Sequence, residues 1–207
     1  KTMLEAIYKI QKENEKIRIH LISHTLNLTG APRVLFEMAR VLKKKGFYPV
    51  IITINEGPLY SEIEKEGIPV VVSRNYEDPD LADNIRVFAQ NFDFMVFSTV
   101  EALKFAHVFR HTKAYKIAWV HEGNETLKLV SQKQKERINL MDEIYTGSLY
   151  CNKFFLPYIK DVSKLNVLYY GVDDAEIRYL KQENKAKSDK VIFIIAGTIG
   201  FRKGHHV

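Results

Sequence analysis

The residues of this chain best suited to chemistry fall in three short stretches. His121 follows the apolar run 116–120 and precedes Glu122 and Gly123. An imidazole at the carboxyl end of a strand points into the crevice where open α/β sheets hold ligands; there it could hydrogen-bond a hydroxyl or shuttle a proton. Arg202 and Lys203 stand in the glycine-containing loop 197–204, directly after the apolar run 191–196. Adjacent cations beside such a turn suit a diphosphate, because guanidinium binds two oxygens, ammonium adds a point charge and backbone amides complete the shell. Gly30 lies in the loop 25–31, where a glycine allows close approach to the backbone and the next helix offers free amides to an anion. Each stretch also has a plainer reading. His121 is singled out by position alone, Gly30 serves equally as a turn glycine, and Arg202 with Lys203 equally forms a solvated basic loop. The other six histidines rank lower, and His20, inside the first apolar run, reads as packed.

Other chemistries find less support. Neither a G-x-G-x-x-G dinucleotide fingerprint nor a G-x-x-x-x-G-K-[ST] phosphate loop occurs. Asp78-Pro79-Asp80 has the spacing by which paired carboxylates hold a divalent ion, but it precedes an expected helix, where Asp80 reads as an N-cap. No His/Cys/Glu set has zinc spacing, so no metal site is expected. The single cysteine, Cys151, excludes an internal disulfide and fits a reducing compartment such as the cytoplasm. A formal net charge of +6 favours anionic partners without naming one. Because no basic-aromatic motif is interleaved along the chain, nucleic acid ranks last among them. No signal peptide opens the sequence, and its longest uncharged apolar stretch, 191–201, falls short of the roughly 20 residues that span a bilayer.

These residues need elements to position them. Residues 1–16 place Leu4, Ile7 and Tyr8 on one helical face, predicting an amphipathic lead-in helix that packs on the main domain or meets a membrane surface. Apolar runs at 17–23, 48–54, 68–72, 94–99, 116–121, 143–146 and 166–169 read as strands. Between them, helices are predicted at the segment opening with Gly30 and Pro32, at 59–65, at 100–110 and from Thr126 onward. The first of these helices carries an apolar stripe of Val34, Leu35, Met38, Ala39, Val41 and Leu42. The last carries Lys128, Lys133, Lys135 and Arg137, a solvated face that could also meet anionic lipid. Uniformly apolar strands alternating with amphipathic helices predict a Rossmann-like parallel sheet covered on both faces, an α/β fold over residues 17–170. The polar stretch 171–190 reads as an interdomain linker, and 191–207 as the first strand and loop of a second domain that is cut short.

Four stretches together resemble the successive landmarks of family 4 glycosyltransferases of the GT-B fold. They are 29–46 (Thr-Gly-Ala-Pro-Arg-Val-Leu-Phe onward), Val120-His121-Glu122, Tyr170-Gly171-Val172-Asp173 and the loop 197–204, in the family's order. The resemblance implies two Rossmann-like domains facing across a cleft, the first holding acceptor and the second holding a nucleoside diphosphate-sugar. It places Gly30 beside the donor phosphates, His121 against the transferred sugar, and Arg202 and Lys203 on the diphosphate. It further implies retention of anomeric configuration without a metal or other cofactor, the nucleotide-sugar being a substrate. The acceptor would be a glycan or lipid-linked, as in polysaccharide biosynthesis, at the inner face of the membrane.

The chain departs from the family at two of these landmarks. Thr29-Gly30 and Pro32 stand where the first loop usually reads Gly-Gly with an acidic residue, and Tyr170 stands where the hinge commonly has Asn. The family's acidic pair for donor sugar and ribose would fall beyond Val207, so 1–207 alone is expected to be inactive. The altered first loop also motivates a rival reading, a non-catalytic GT-B-like subunit that stabilises a partner transferase.

Overall fold

The computed structural model describes residues 16–73, 88–171 and 193–194. The chain divides into two compact units, Lys1–Tyr170 and Gly171–Val207. The lead-in helix, Asp78-Pro79-Asp80, the linker 171–190 and the loop carrying Arg202 and Lys203 lie outside the described residues, apart from Lys16 and Gly171.

Seven strands form one sheet: β1 (Arg18–Thr25), β2 (Tyr48–Asn55), β3 (Val70–Val72), β4 (Phe94–Ser98), β5 (Tyr115–Val120), β6 (Glu143–Thr146) and β7 (Leu165–Val167). All pairings are parallel, in the order β3-β2-β1-β4-β5-β6-β7. The helices are α1 (Gly30–Lys44), α2 (Leu59–Lys65), α3 (Asn124–Leu129), α4 (Gln132–Glu136) and α5 (Leu149–Phe155). Among the described residues no helix is long and apolar enough to cross a membrane.

Strand alternation builds a core on each face of the sheet. Ile19 and Leu21 of β1, Ile51 of β2 and Val96 of β4 pack with Leu35, Phe36 and Ala39 of α1 and with Leu59 and Ile63 of α2. Ile22, Ile52, Met95, Phe97, Ala118 and Ile144 face the other way, against Leu103, Phe109, Ile138 and Phe155. Register keeps these layers aligned, Leu21 lying opposite both Ile51 and Val96. Parallel strands buried on both faces need apolar residues at nearly every position, which is why their sequences run apolar without alternating.

Three expectations need correction. Val41 is 55% exposed, and Phe36 takes its place in the core. At about 100° per residue, Val41 is turned far from Leu35 and Ala39, whereas Phe36 stays on their side. The expected helix 100–110 is instead a 3-10 helix over Glu101–Phe105 followed by turns. Its buried residues fall at Val100, Leu103, Ala106 and Phe109 and at Ala102, Phe105 and Val108. That is a three-residue period, which suits three residues per turn rather than 3.6. Finally, the helix expected from Thr126 is broken at Val130, and α4 restarts with Ser131 Oγ accepting the Gln134 amide at 3.3 Å.

His20 is fully buried, as its place in the first strand suggests. Its ring stacks on Phe92 at 4.7 Å and meets the edges of Phe88 and Phe109 at 5.7 and 5.3 Å. Neither ring nitrogen has a hydrogen-bond partner, and burial lowers its pKa from 6.5 to about 3. Between those values the unfolded chain binds a proton that the folded chain refuses. Stability from this site is therefore complete above pH 6.5 and falls with acid, by up to about 1.4 kcal/mol per pH unit. His20→Phe should raise the urea midpoint at pH 7.5 modestly and at pH 5 by clearly more. An equal shift at both pH values would mean that His20 ionisation does not limit acid stability.

Candidate functional site

The order of the sheet reverses direction beside β1: β2 and β3 extend one way, and β4 begins the other. Loops leaving β1 and β4 therefore diverge to opposite sides and open a crevice at their carboxyl ends, the usual ligand position in such sheets. His24 and Thr25 close β1, Ser98 and Thr99 follow through the end of β4, and His121 stands one residue beyond β5.

Side chains tie these ends together. Thr99 Oγ1 lies 3.0 Å from His24 Nδ1, bridging β1 to β4. Ser98 Oγ lies 3.4 Å from His121 Nε2, bridging β4 to β5. Glu122 makes the same link through the backbone: its Oε1 accepts the Val100 amide at 3.0 Å and its Oε2 the His121 amide at 2.9 Å. Burial raises the Glu122 pKa, and the amides that it accepts oppose that rise.

Thr99 has φ 86, the one positive value among described residues other than glycine. A β-branched residue there costs on the order of 1–2 kcal/mol, so its surroundings must hold it. They do so at three atoms: its amide donates to Trp119 O at 3.0 Å, its carbonyl accepts from Ala102, and its hydroxyl meets His24.

The two imidazoles are neutral at pH 7. Burial lowers the His121 pKa to about 4. It also lowers that of His24, where nearby Glu101 pulls upward and Lys104 downward. His121 is braced by Trp119 beneath it, ring centroids 4.8 Å apart, and its Nδ1 is hydrogen-bonded to the Tyr170 hydroxyl.

Gly30 opens α1 after the loop that leaves β1, at the same carboxyl edge of the sheet as His121. Its backbone is not in the positive-φ region, and a Cβ there would meet nothing within 4 Å. The turn reading therefore has no conformational basis, and the position is simply open. Thr29 makes no side-chain cap and the first turn of α1 holds no acidic residue; Pro32 has no amide proton and the Arg33 amide donates to Thr29 O, so the Gly30 and Ala31 amides are the ones left to an anion. The structure thus brings His121 and Gly30 to one edge, while Arg202 and Lys203 lie outside the described residues. Sequence reasoning missed His24, Ser98 and Thr99. The signal was available for His24, since a polar residue ending the first strand borders the reversal point in such a sheet.

The model of the family described as Glycosyl-transferase family 4 matches residues 15–149. No curated protein matches the chain in sequence. Among solved structures, the chain is similar to Anabaena Alr3699/HepE, determined in complex with UDP and glucose. The TM-score is 0.62 at 17% identity, over 81% of this chain and 50% of that one. The same protein in complex with UDP-glucose gives the same score and identity over 49% of its length. An alpha-glucosyltransferase in complex with UDP and a 13-mer DNA containing an HMU base is similar with a TM-score of 0.57 at 11% identity, over 80% of this chain and 45% of that one. Likeness at such identities is one of fold. The chain spans about half the length of the solved structures it matches. With the family match covering most of the sheet and its loops, the chain belongs to glycosyl-transferase family 4 and has the Rossmann-like architecture of a GT-B half.

Proposed function

We propose that this chain is the acceptor-side half of an enzyme that moves a sugar from a nucleoside diphosphate to a glycan or lipid-linked acceptor. The observation that carries this reading is the neutral His121, fixed between Ser98 and Tyr170 at the edge where the strand order reverses. A neutral imidazole can hydrogen-bond a sugar hydroxyl without placing a cation against the positive charge that develops on the transferred sugar. Family membership and the UDP-glucose bound by a structural neighbour support a nucleotide-sugar donor.

The chemistry divides among the chain's own residues. His121 orients the sugar. The open amides at the start of α1, near Gly30, face charge developing on the leaving diphosphate. Arg202 and Lys203 take its oxygens, guanidinium by two bonds and ammonium as a point charge. Configuration at the anomeric carbon is retained, and no metal is required. The protein works in the cytoplasm, with peripheral contact at the inner face of the membrane.

Full-length protein supplied with UDP-, GDP- and dTDP-sugars should transfer or hydrolyse one of them, with turnover unchanged by EDTA and the product anomer matching the donor by NMR. His121→Ala should lower kcat by about 100-fold, the scale expected when a positioning contact is lost. The Arg202→Ala/Lys203→Ala double variant should lose at least about 100-fold. Near-normal turnover in either variant removes the role assigned to it, and silence with every donor favours a non-catalytic subunit. Activity should fall with acid only as pH approaches about 4, where His121 gains its proton. A limb near 6.5 would place the titrating group elsewhere.

A further inference from the structure

Tyr170 is the last residue of the first compact unit. Its hydroxyl is hydrogen-bonded to His121 Nδ1. Its ring lies 5.4 Å from the His121 ring and 5.8 Å from Trp119, so that three aromatic rings form one contiguous group. Space for it is provided by Gly147, just past β6: a Cβ there would come within 2.6 Å of the Tyr170 hydroxyl oxygen and 3.0 Å of Cε2 and Cζ. A hydrogen bond, ring packing and a vacated side chain thus converge on one phenol.

Two neutral tautomers of His121 fit its partners formally. In one, Tyr170 donates to Nδ1 and Nε2–H points towards Ser98 Oγ; in the other, Nδ1–H donates to the phenol oxygen and Ser98 donates to Nε2. A phenol is a stronger donor than acceptor, because its oxygen lone pair is delocalised into the ring, whereas an aliphatic hydroxyl such as that of Ser98 accepts readily. Burial pushes the Tyr170 pKa up to about 12, so its proton is present throughout the working range.

We infer that Tyr170 is a positioning residue that fixes His121 as the Nε2–H tautomer, with Nε2–H directed at Ser98 Oγ and available to an oxygen of the bound sugar that displaces that contact. The tautomer assignment stands on this geometry alone, while its purpose rests on the sugar-orienting role proposed for His121. Ser98, 3.4 Å away, holds the donor loosely, so a substrate oxygen can replace it at little cost. The site therefore selects an acceptor atom on the sugar, and an analogue in which fluorine replaces the contacted hydroxyl should bind more weakly.

The test reads the tautomer directly. Long-range 1H–15N spectra of the full-length protein, with the His121 signals assigned by His121→Gln, should show Nε2 protonated and Nδ1 unprotonated at pH 7. Tyr170→Phe should convert this to a mixture, and Gly147→Ala, which displaces the phenol without removing it, should do the same. Both variants should keep the far-UV circular dichroism of the parent. A wild-type Nδ1–H tautomer, or a tautomer unmoved by Tyr170→Phe, overturns the inference. If transfer activity is found, Tyr170→Phe should lower kcat about 10-fold with KM within about 2-fold. A correct tautomer with unchanged kcat would overturn the catalytic purpose while leaving the assignment intact, and absence of transfer with every donor would count against the functional reading alone.

Discussion

The hydrogen bonding of β1 to β4, running from Ile19 opposite Phe94 to Ile22 opposite Phe97, is the constraint on which the rest depends. A chain that has laid β2 and β3 on one side of β1 must return across the sheet to place β4 on the other. Because crossovers between parallel strands are right-handed, the helices before and after the return cover opposite faces. The reversal thus creates both the two cores and the gap at the strand ends. His24, Ser98, Thr99 and His121 come from three strands, and only this order makes those strands adjacent.

The architecture was legible in the sequence to the extent that it depends on local patterns. Strand runs of unbroken apolar residues announced a parallel sheet, and α2 falls on the residues that its pattern marks. Where the local pattern carries two meanings, legibility failed. The run from Val100 has so many apolar residues that periods of 3 and 3.6 both fit it; burial of Val100, Leu103, Ala106 and Phe109 together with Ala102, Phe105 and Val108 in one core goes with the tighter helix. His121 was visible because a strand end is a sequence feature. The partners that define its chemistry were not visible, since Ser98 is 23 residues away and Tyr170 is 49 residues away. Thr99 is the clearest case: its left-handed backbone is imposed by bonds to Trp119 and His24, and nothing about a threonine announces it.

Electrostatically the described edge is quieter than a net charge of +6 suggests. Burial lowers the pKa values of His24 and His121, and the Glu122 carboxylate spends its oxygens on backbone amides. What the edge presents is dipoles held in place: two imidazoles, two hydroxyls and the Gly30 and Ala31 amides that open α1. Fixed dipoles need little reorganisation when charge develops beside them, which is the property that makes such an arrangement useful in group transfer.

The fit between Gly147 and Tyr170 also ties the two positions together. A Cβ at 147 would press on the Tyr170 hydroxyl, so the phenol would have to shift from its place beside His121. A glycine at 147 costs chain entropy and leaves a hollow that the Tyr170 ring fills. The two positions are therefore coupled: what a side chain at 147 does to this edge depends on whether residue 170 carries a ring that must lie beside it.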